Sequence, residues 1–113
     1  MEERIFSWSL DGFGSALYRI TEEGREYFVN RYSSMEPGAE DEKDCCDEVI
    51  EYNSFEEFWK AFTDQPSWLR FPPVFIHRDY KPFLKVFFSN LNQASLTLAD
   101  KFRLSLWLHK IEN

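Results

Sequence analysis

The sequence predicts an α+β fold, in which a four-stranded antiparallel meander is followed by two or three helices in a single domain over residues 1–113. Two segments before residue 34 alternate apolar and polar residues, and a third, at 25–33, is apolar on both sides; Asp-Gly and Glu-Gly turn signals separate the three. After residue 53 the apolar residues recur at helical spacing. Because 43% of the residues are apolar and 19% aromatic, burial of large side chains can stabilise a domain of this length.

Four strands are predicted, at 4–10, 15–21, 25–33 and 49–52. In the first, Phe6 and Trp8 alternate with serines, as expected of a strand with one buried face. The second places Ala16, Tyr18 and Ile20 on one face, although Leu17 interrupts the polarity of the other. Turns at 11–12 and 23–24 join these strands as antiparallel neighbours.

The most clearly predicted helix begins at Ser54, where Ser54 and Glu57 form a capping box. Behind it an aromatic stripe has i, i+3, i+4, i+7 spacing, made of Phe55, Phe58, Trp59 and Phe62. A short extended segment is expected at 74–76, and a second helix starts at Asp79 or Lys81.

The C-terminal segment, 96–111, fits two structures. Its apolar residues fall mainly on even positions, as in a strand, yet it lacks β-branched residues from 98 to 110. Thr97 to Asp100 also resembles a capping box, and Leu104, Trp107 and Ile111 have helical spacing. A helix is favoured, and a strand remains the alternative.

Charge is distributed unevenly along the chain. The net charge is −7, but residues 22–57 contain thirteen acidic and three basic residues, a net charge of −10, whereas residues from 58 onward carry +4. Residues 34–48 form a predicted acidic surface loop. Such a surface repels nucleic acid and anionic lipid and attracts cationic proteins. The sequence therefore predicts a partner-binding surface made of Glu40, Asp41, Glu42, Asp44, Asp47, Glu48 and Glu51.

Catalytic and metal chemistry are disfavoured by spacing. Cys45 and Cys46 are adjacent, which suits neither a relaxed disulfide nor a zinc site, and their acidic neighbours favour the neutral thiol. The acidic run lacks the mid-loop glycine of an EF-hand. His77 and Asp79 could form a base with a carboxylate partner, but Asp79 as a helix cap is the simpler interpretation. We expect no enzymatic activity, no cofactor and no metal.

No apolar run reaches the roughly 20 residues that cross a bilayer, and the N-terminus has no signal-peptide pattern. These features, with two thiols expected to be reduced, predict a cytoplasmic protein that binds neither membrane nor nucleic acid.

Three segments resemble small immunity proteins of bacterial toxin systems, including contact-dependent inhibition: DGFGSALYRI at 11–20, SFEEFWKAFT at 54–63 and PPVFIHRDYK at 72–81. The resemblance spans about residues 8–90. It implies a cytoplasmic protein that binds and blocks a cognate toxin domain. The acidic charge itself favours a target with a basic surface, for which a nuclease is a natural example. The resemblance carries over no contact residues.

Two other functions stay open at this point. One is a regulatory or scaffold domain that binds a protein other than a toxin. The other is a small enzyme that uses Cys45, His77 or Asp79.

Overall fold

A computed structural model describes residues 1–8, 15–33 and 46–113. The described part contains five strands and three helices: β1 Glu2–Ser7, β2 Ser15–Glu22, β3 Arg25–Ser33, β4 Cys46–Tyr52, α1 Phe55–Thr63, β5 Phe75–Ile76, α2 Lys81–Ser89 and α3 Leu98–Glu112. Short 3-10 turns lie at Trp68–Arg70, Arg78–Tyr80 and Gln93–Ser95. The α+β class is confirmed, and the predicted count of four strands is one too few. None of the described helices combines the length and hydrophobicity needed to span a membrane.

The strands form one antiparallel sheet in the order β4-β3-β2-β1-β5. The first four strands follow one another as the predicted meander. The fifth arises because the extended segment predicted at 74–76 returns to the sheet and pairs with β1, with Phe6 opposite Ile76. A two-residue strand has no periodicity of its own, so the sequence indicates its extension but not its pairing.

β1 differs from its prediction in both position and pattern. The strand runs from Glu2 to Ser7, two residues earlier than expected, and Leu10 lies outside the described residues. Its register against β2 shifts between Arg4 and Phe6. This irregularity lets both Ile5 and Phe6 be buried, which simple alternation does not allow.

The two faces of the sheet differ in what covers them. One face, which we call the covered face, packs on the helices. Phe6 and Phe28 from this face contact rings of α1, and the row Phe6, Leu17, Asn30 and Ile50 crosses four strands. Leu17 rather than its neighbours Ala16 and Tyr18 is the fully buried residue of β2.

The opposite face, which we call the open face, carries the row Arg4, Tyr18, Val29 and Glu51. Its described contacts lie within the sheet. The Arg31 guanidinium lies 4.8 Å from the centre of the Tyr18 ring, and Arg4 lies 5.7 Å from the same ring. Arg31 also binds Glu2 at 2.5 and 3.1 Å, and these hydrogen bonds are the main reason why the pKa of Glu2 lies below its ordinary value.

All three predicted helices form. Ser54 caps α1 by accepting a hydrogen bond from the Glu57 amide at 3.1 Å, and the four predicted aromatic residues of α1 are buried. Thr97 caps α3 in the same way from the Asp100 amide, which settles the C-terminal segment as a helix. α2 begins at Lys81, so the alternative start at Asp79 is wrong, as is Asp79 as its cap.

The apolar core is mainly aromatic. Trp59 lies at its centre, within about 6 Å, ring centre to ring centre, of Phe6, Phe62, Trp68, Phe87 and Trp107. Edge-to-face arrangements predominate, for example Trp59 against Phe87 at an interplanar angle of 89°. The core therefore joins the covered face to all three helices.

Candidate functional site

Most of the predicted partner-binding residues lie at or before the start of β4. Glu40, Asp41, Glu42 and Asp44 fall outside the described residues. Asp47 and Glu48 belong to β4, which begins three residues earlier than predicted. Glu51 is the member of the set whose side chain the structure describes, and it is exposed on the open face.

Glu51 lines a depression of about 420 Å³ at one end of the open face. We call it the acidic depression; its lining residues are Glu22, Glu23, Arg25, Tyr27 and Glu51. The β2–β3 hairpin brings Glu22 and Glu23 to this place, while β4 supplies Glu51. Arg25 lies 5.7 Å from the centre of the Tyr27 ring. Three carboxylates against one guanidinium make the site attractive to a cationic side chain.

The turn that presents Glu23 has an unusual backbone. Glu23 and Gly24 both have positive φ, at 52° and 80°, as required of a two-residue hairpin turn that matches the twist of its strands. Glycine adopts this conformation freely, but glutamate does so only at a cost, and asparagine is the usual residue. The turn thus holds Glu23 in a left-handed backbone conformation that glutamate rarely adopts.

Glu23→Asn should therefore raise the free energy of unfolding by about 0.5–1 kcal/mol, because asparagine tolerates the left-handed conformation better. The same change removes a carboxylate from the acidic depression. Urea unfolding of the variant and of Glu22→Asn, a neighbouring strand position, checks the first effect. A gain of equal size at Glu22 would contradict the role of backbone conformation.

A second polar group of residues, the Arg19 cluster, lies on the covered face beside the Arg78–Tyr80 turn. It consists of Glu3, Arg19, Glu26, His77 and Tyr80. Arg19 binds the carboxylate of Glu3, lies 3.2 Å from that of Glu26, and donates a hydrogen bond to the Tyr80 hydroxyl at 3.3 Å. These residues come from β1, β2, β3 and the turn, so the cluster ties the sheet to the chain that leads into α2.

Both ring nitrogens of His77 are engaged. Nδ1 accepts a hydrogen bond from the Asp79 amide at 3.1 Å, so the proton of the neutral ring is on Nε2, which lies 2.8 Å from Glu3 Oε1. The backbone amide of His77 donates to the Ile5 carbonyl at 2.7 Å. His77 is therefore the capping residue of the Arg78–Tyr80 turn, and its backbone hydrogen bond holds this turn against β1.

Burial raises the pKa of Tyr80 above its ordinary value of 10.0, against an opposing effect of Arg19. The unfolded chain ionises this phenol first, so the contribution of Tyr80 to stability is present below pH 10 and declines as the pH rises above it. Tyr80→Phe removes the hydroxyl that accepts a hydrogen bond from Arg19. We therefore expect this variant to be about 1 kcal/mol less stable than the parent at pH 8. That difference should shrink at pH 11, and urea unfolding at both pH values checks it. A constant difference would contradict the raised pKa of this partly buried phenol.

Sequence patterns missed the Arg19 cluster, because its members are far apart in the chain. One signal was present: Arg19 has the same strand parity as the buried Leu17, and a charged residue on a buried face requires a partner. Glu22 and Glu23 were counted in the acidic segment but not assigned to the binding surface. Within the described part of the chain, no three histidine, cysteine or acidic side chains are grouped to hold a metal ion.

Comparisons with known proteins found no family to which the chain can be matched, no curated protein similar to it and no solved structure that resembles it.

Proposed function

We propose that this chain is a non-catalytic immunity protein, which binds the basic surface of a toxin domain through the acidic depression and the acidic residues that lead into β4. The observation that carries the proposal is the position of Glu51. It belongs to the surface predicted from sequence, and it lies beside Glu22 and Glu23 around one depression. Carboxylates from two separate parts of the chain thus face the same solvent region.

The sign of the charge determines the class of partner. Carboxylates on an exposed surface speed the association of a cationic protein and repel nucleic acid phosphates. A toxin that binds nucleic acid must itself present cations, so an acidic inhibitor can cover the surface that the toxin needs. The resemblance of three segments to immunity proteins supports the same class of partner.

The arrangement of His77 supports a role without catalysis. A general base needs a nitrogen free to accept a proton from the substrate. In His77 one nitrogen accepts the Asp79 amide and the other faces Glu3, so neither ring nitrogen is directed to an open site. These contacts explain the residue as a structural one.

Charge reversal tests the proposal. The product of the gene directly upstream of the one encoding this chain is the first candidate partner, and its affinity is measured by calorimetry at about 50 and about 300 mM NaCl. We expect the double variant Glu22→Lys, Glu51→Lys to weaken binding about tenfold, and added salt to weaken binding to the parent chain. Asp64→Lys, Glu112→Lys, two exposed reversals at the ends of α1 and α3, is the matched control and should change affinity less than twofold.

A second variant tests the part of the surface that precedes and enters β4. Reversal of Asp41, Asp44 and Asp47 to lysine should weaken the complex by at least as much as the double variant, because three charges change sign. Co-expression with the toxin reports neutralisation in the cell. A complex that is insensitive to salt and to both sets of reversals would contradict this binding surface.

A further inference from the structure

β4 is a terminal strand of the sheet. Among the described strands its only neighbour is β3, which pairs with it from Phe28–Tyr52 to Ser33–Cys46. On its other side β4 pairs with none of the strands in the described part of the chain. Such an edge readily accepts another extended segment.

Side chains of β4 are also incompletely covered. Val49 and Glu51 face the open side, and Val49 is 54% exposed although it is β-branched and apolar. Ile50 and Tyr52 face the covered side and are half-buried. Burial therefore alternates between the two faces of β4, and the open face presents an exposed apolar and an exposed acidic side chain two residues apart.

Charge restricts which segment can fill this edge. Residues 46–52 include Asp47, Glu48 and Glu51 and no basic residue. Two copies of β4 side by side would bring like charges together, which destabilises a strand pair. A segment with lysine or arginine gains a cross-strand ion pair instead, so complementarity favours a basic partner over a second copy.

We propose that an extended basic segment of the partner adds, as a further strand, to the edge of β4 that faces away from β3, with a lysine or arginine opposite Glu51 and an apolar residue opposite Val49. This inference rests on the proposed function for the basic character of the partner. It adds the geometry of recognition: backbone hydrogen bonds along β4 supply affinity, and alternate side chains on the open face supply specificity.

A capped synthetic peptide of seven residues, the length of β4, tests this geometry. It has threonine at the odd positions, lysine at the second and sixth, and valine at the fourth, so that either strand direction places valine opposite Val49 and a lysine opposite Glu51. Two further peptides carry N-methyl groups on the odd or on the even amides. In a strand these two sets of amides point to opposite edges, so only one set faces β4.

The expected result is that one N-methylated peptide binds within about twofold of the parent peptide and the other loses binding at least tenfold in NMR titrations. Chemical-shift changes should be concentrated at the amides of 46–52. If the two N-methylated peptides bind equally, or if the parent peptide does not bind, strand addition is wrong.

Glu51→Lys checks the charge pair. This variant should bind the lysine peptide about tenfold more weakly, from the loss of an attractive pair and its replacement by a repulsive one. Of two peptides that carry glutamate in place of one lysine, at the second or at the sixth position, the one that places glutamate opposite residue 51 should recover affinity. If Glu51→Lys does not weaken binding of the lysine peptide, or if glutamate does not restore it, the pairing at Glu51 is wrong. Failure of the peptide experiments leaves salt-sensitive binding of the upstream gene product unaffected, whereas failure of that binding removes the proposed function itself.

Discussion

Trp107→Ala is expected to lower the free energy of unfolding by about 3–5 kcal/mol, the largest loss among the substitutions considered. Trp107 is 1% exposed and lies within about 6 Å of the rings of Phe6, Trp59, Phe62, Trp68 and Phe88. Its removal leaves a large cavity where α3 meets both the sheet and the other helices. Urea unfolding followed by far-ultraviolet circular dichroism measures the loss.

Two controls separate loss of packing from other effects. Phe102→Ala removes an aromatic ring from the same helix, but Phe102 is 66% exposed, so its cost should stay near 0.5 kcal/mol. Trp107→Phe keeps most of the apolar volume and removes an indole N–H that has no hydrogen-bond partner among the described residues. It should cost far less than alanine. Equal losses for Trp107→Ala and Phe102→Ala would contradict the described orientation of α3.

Arg19→Met should lower the free energy of unfolding by about 1–2 kcal/mol, because it removes the shared donor of a phenol and of two partly exposed carboxylates. Glu3 and Glu26 both pair with Arg19, whose side chain is only 26% exposed. Methionine retains the apolar part of the side chain, so the loss reports mainly on charge and hydrogen bonding. Chemical unfolding at neutral pH gives the value.

Arg78→Met is the matched control for this substitution. The Arg78 side chain is 89% exposed and lies 3.9 Å from Asp79, a surface pair that contributes little to stability. Its replacement should change the free energy of unfolding by less than about 0.5 kcal/mol. Without Arg19 the Glu3 carboxylate keeps His77 as its partner. If Glu3→Gln combined with Arg19→Met proves no more stable than Arg19→Met alone, the Glu3 carboxylate is not the source of the loss.

The sequence predicts the elements whose signals are local. The capping box at Ser54 and the aromatic spacing behind it define α1, and the third strand has the predicted bounds, Arg25–Ser33. For α3, the capping signal at Thr97 is correct, and the placement of apolar residues on even positions, which is typical of a strand, is misleading. That spacing misleads because Leu98, Phe102 and Leu106 lie on the solvent side of the helix, in addition to the buried residues on its inner side.

Features that depend on distant contacts could not be predicted in the same way. The burial of both Ile5 and Phe6 depends on an irregularity in the pairing of β1 with β2. The strand β5 forms by pairing with β1, a segment about 70 residues earlier in the chain. Asp79 has the composition of a helix cap, but α2 follows Tyr80 without a side-chain cap, and His77 caps the preceding 3-10 turn. For the candidate site, the negative charge was evident from composition, whereas the meeting of Glu22 and Glu23 with Glu51 requires the order of the strands.

The aromatic core has a practical consequence for spectroscopy. All four tryptophans of the chain belong to the core cluster or pack against it: Trp8, Trp59, Trp68 and Trp107. The acidic depression and β4 contain tyrosine but no tryptophan. Indole emission therefore reports the integrity of the core and should stay nearly constant when a tryptophan-free ligand occupies the sheet edge. Folding and binding can then be recorded as two independent optical signals, with a reporter attached to the ligand for the second.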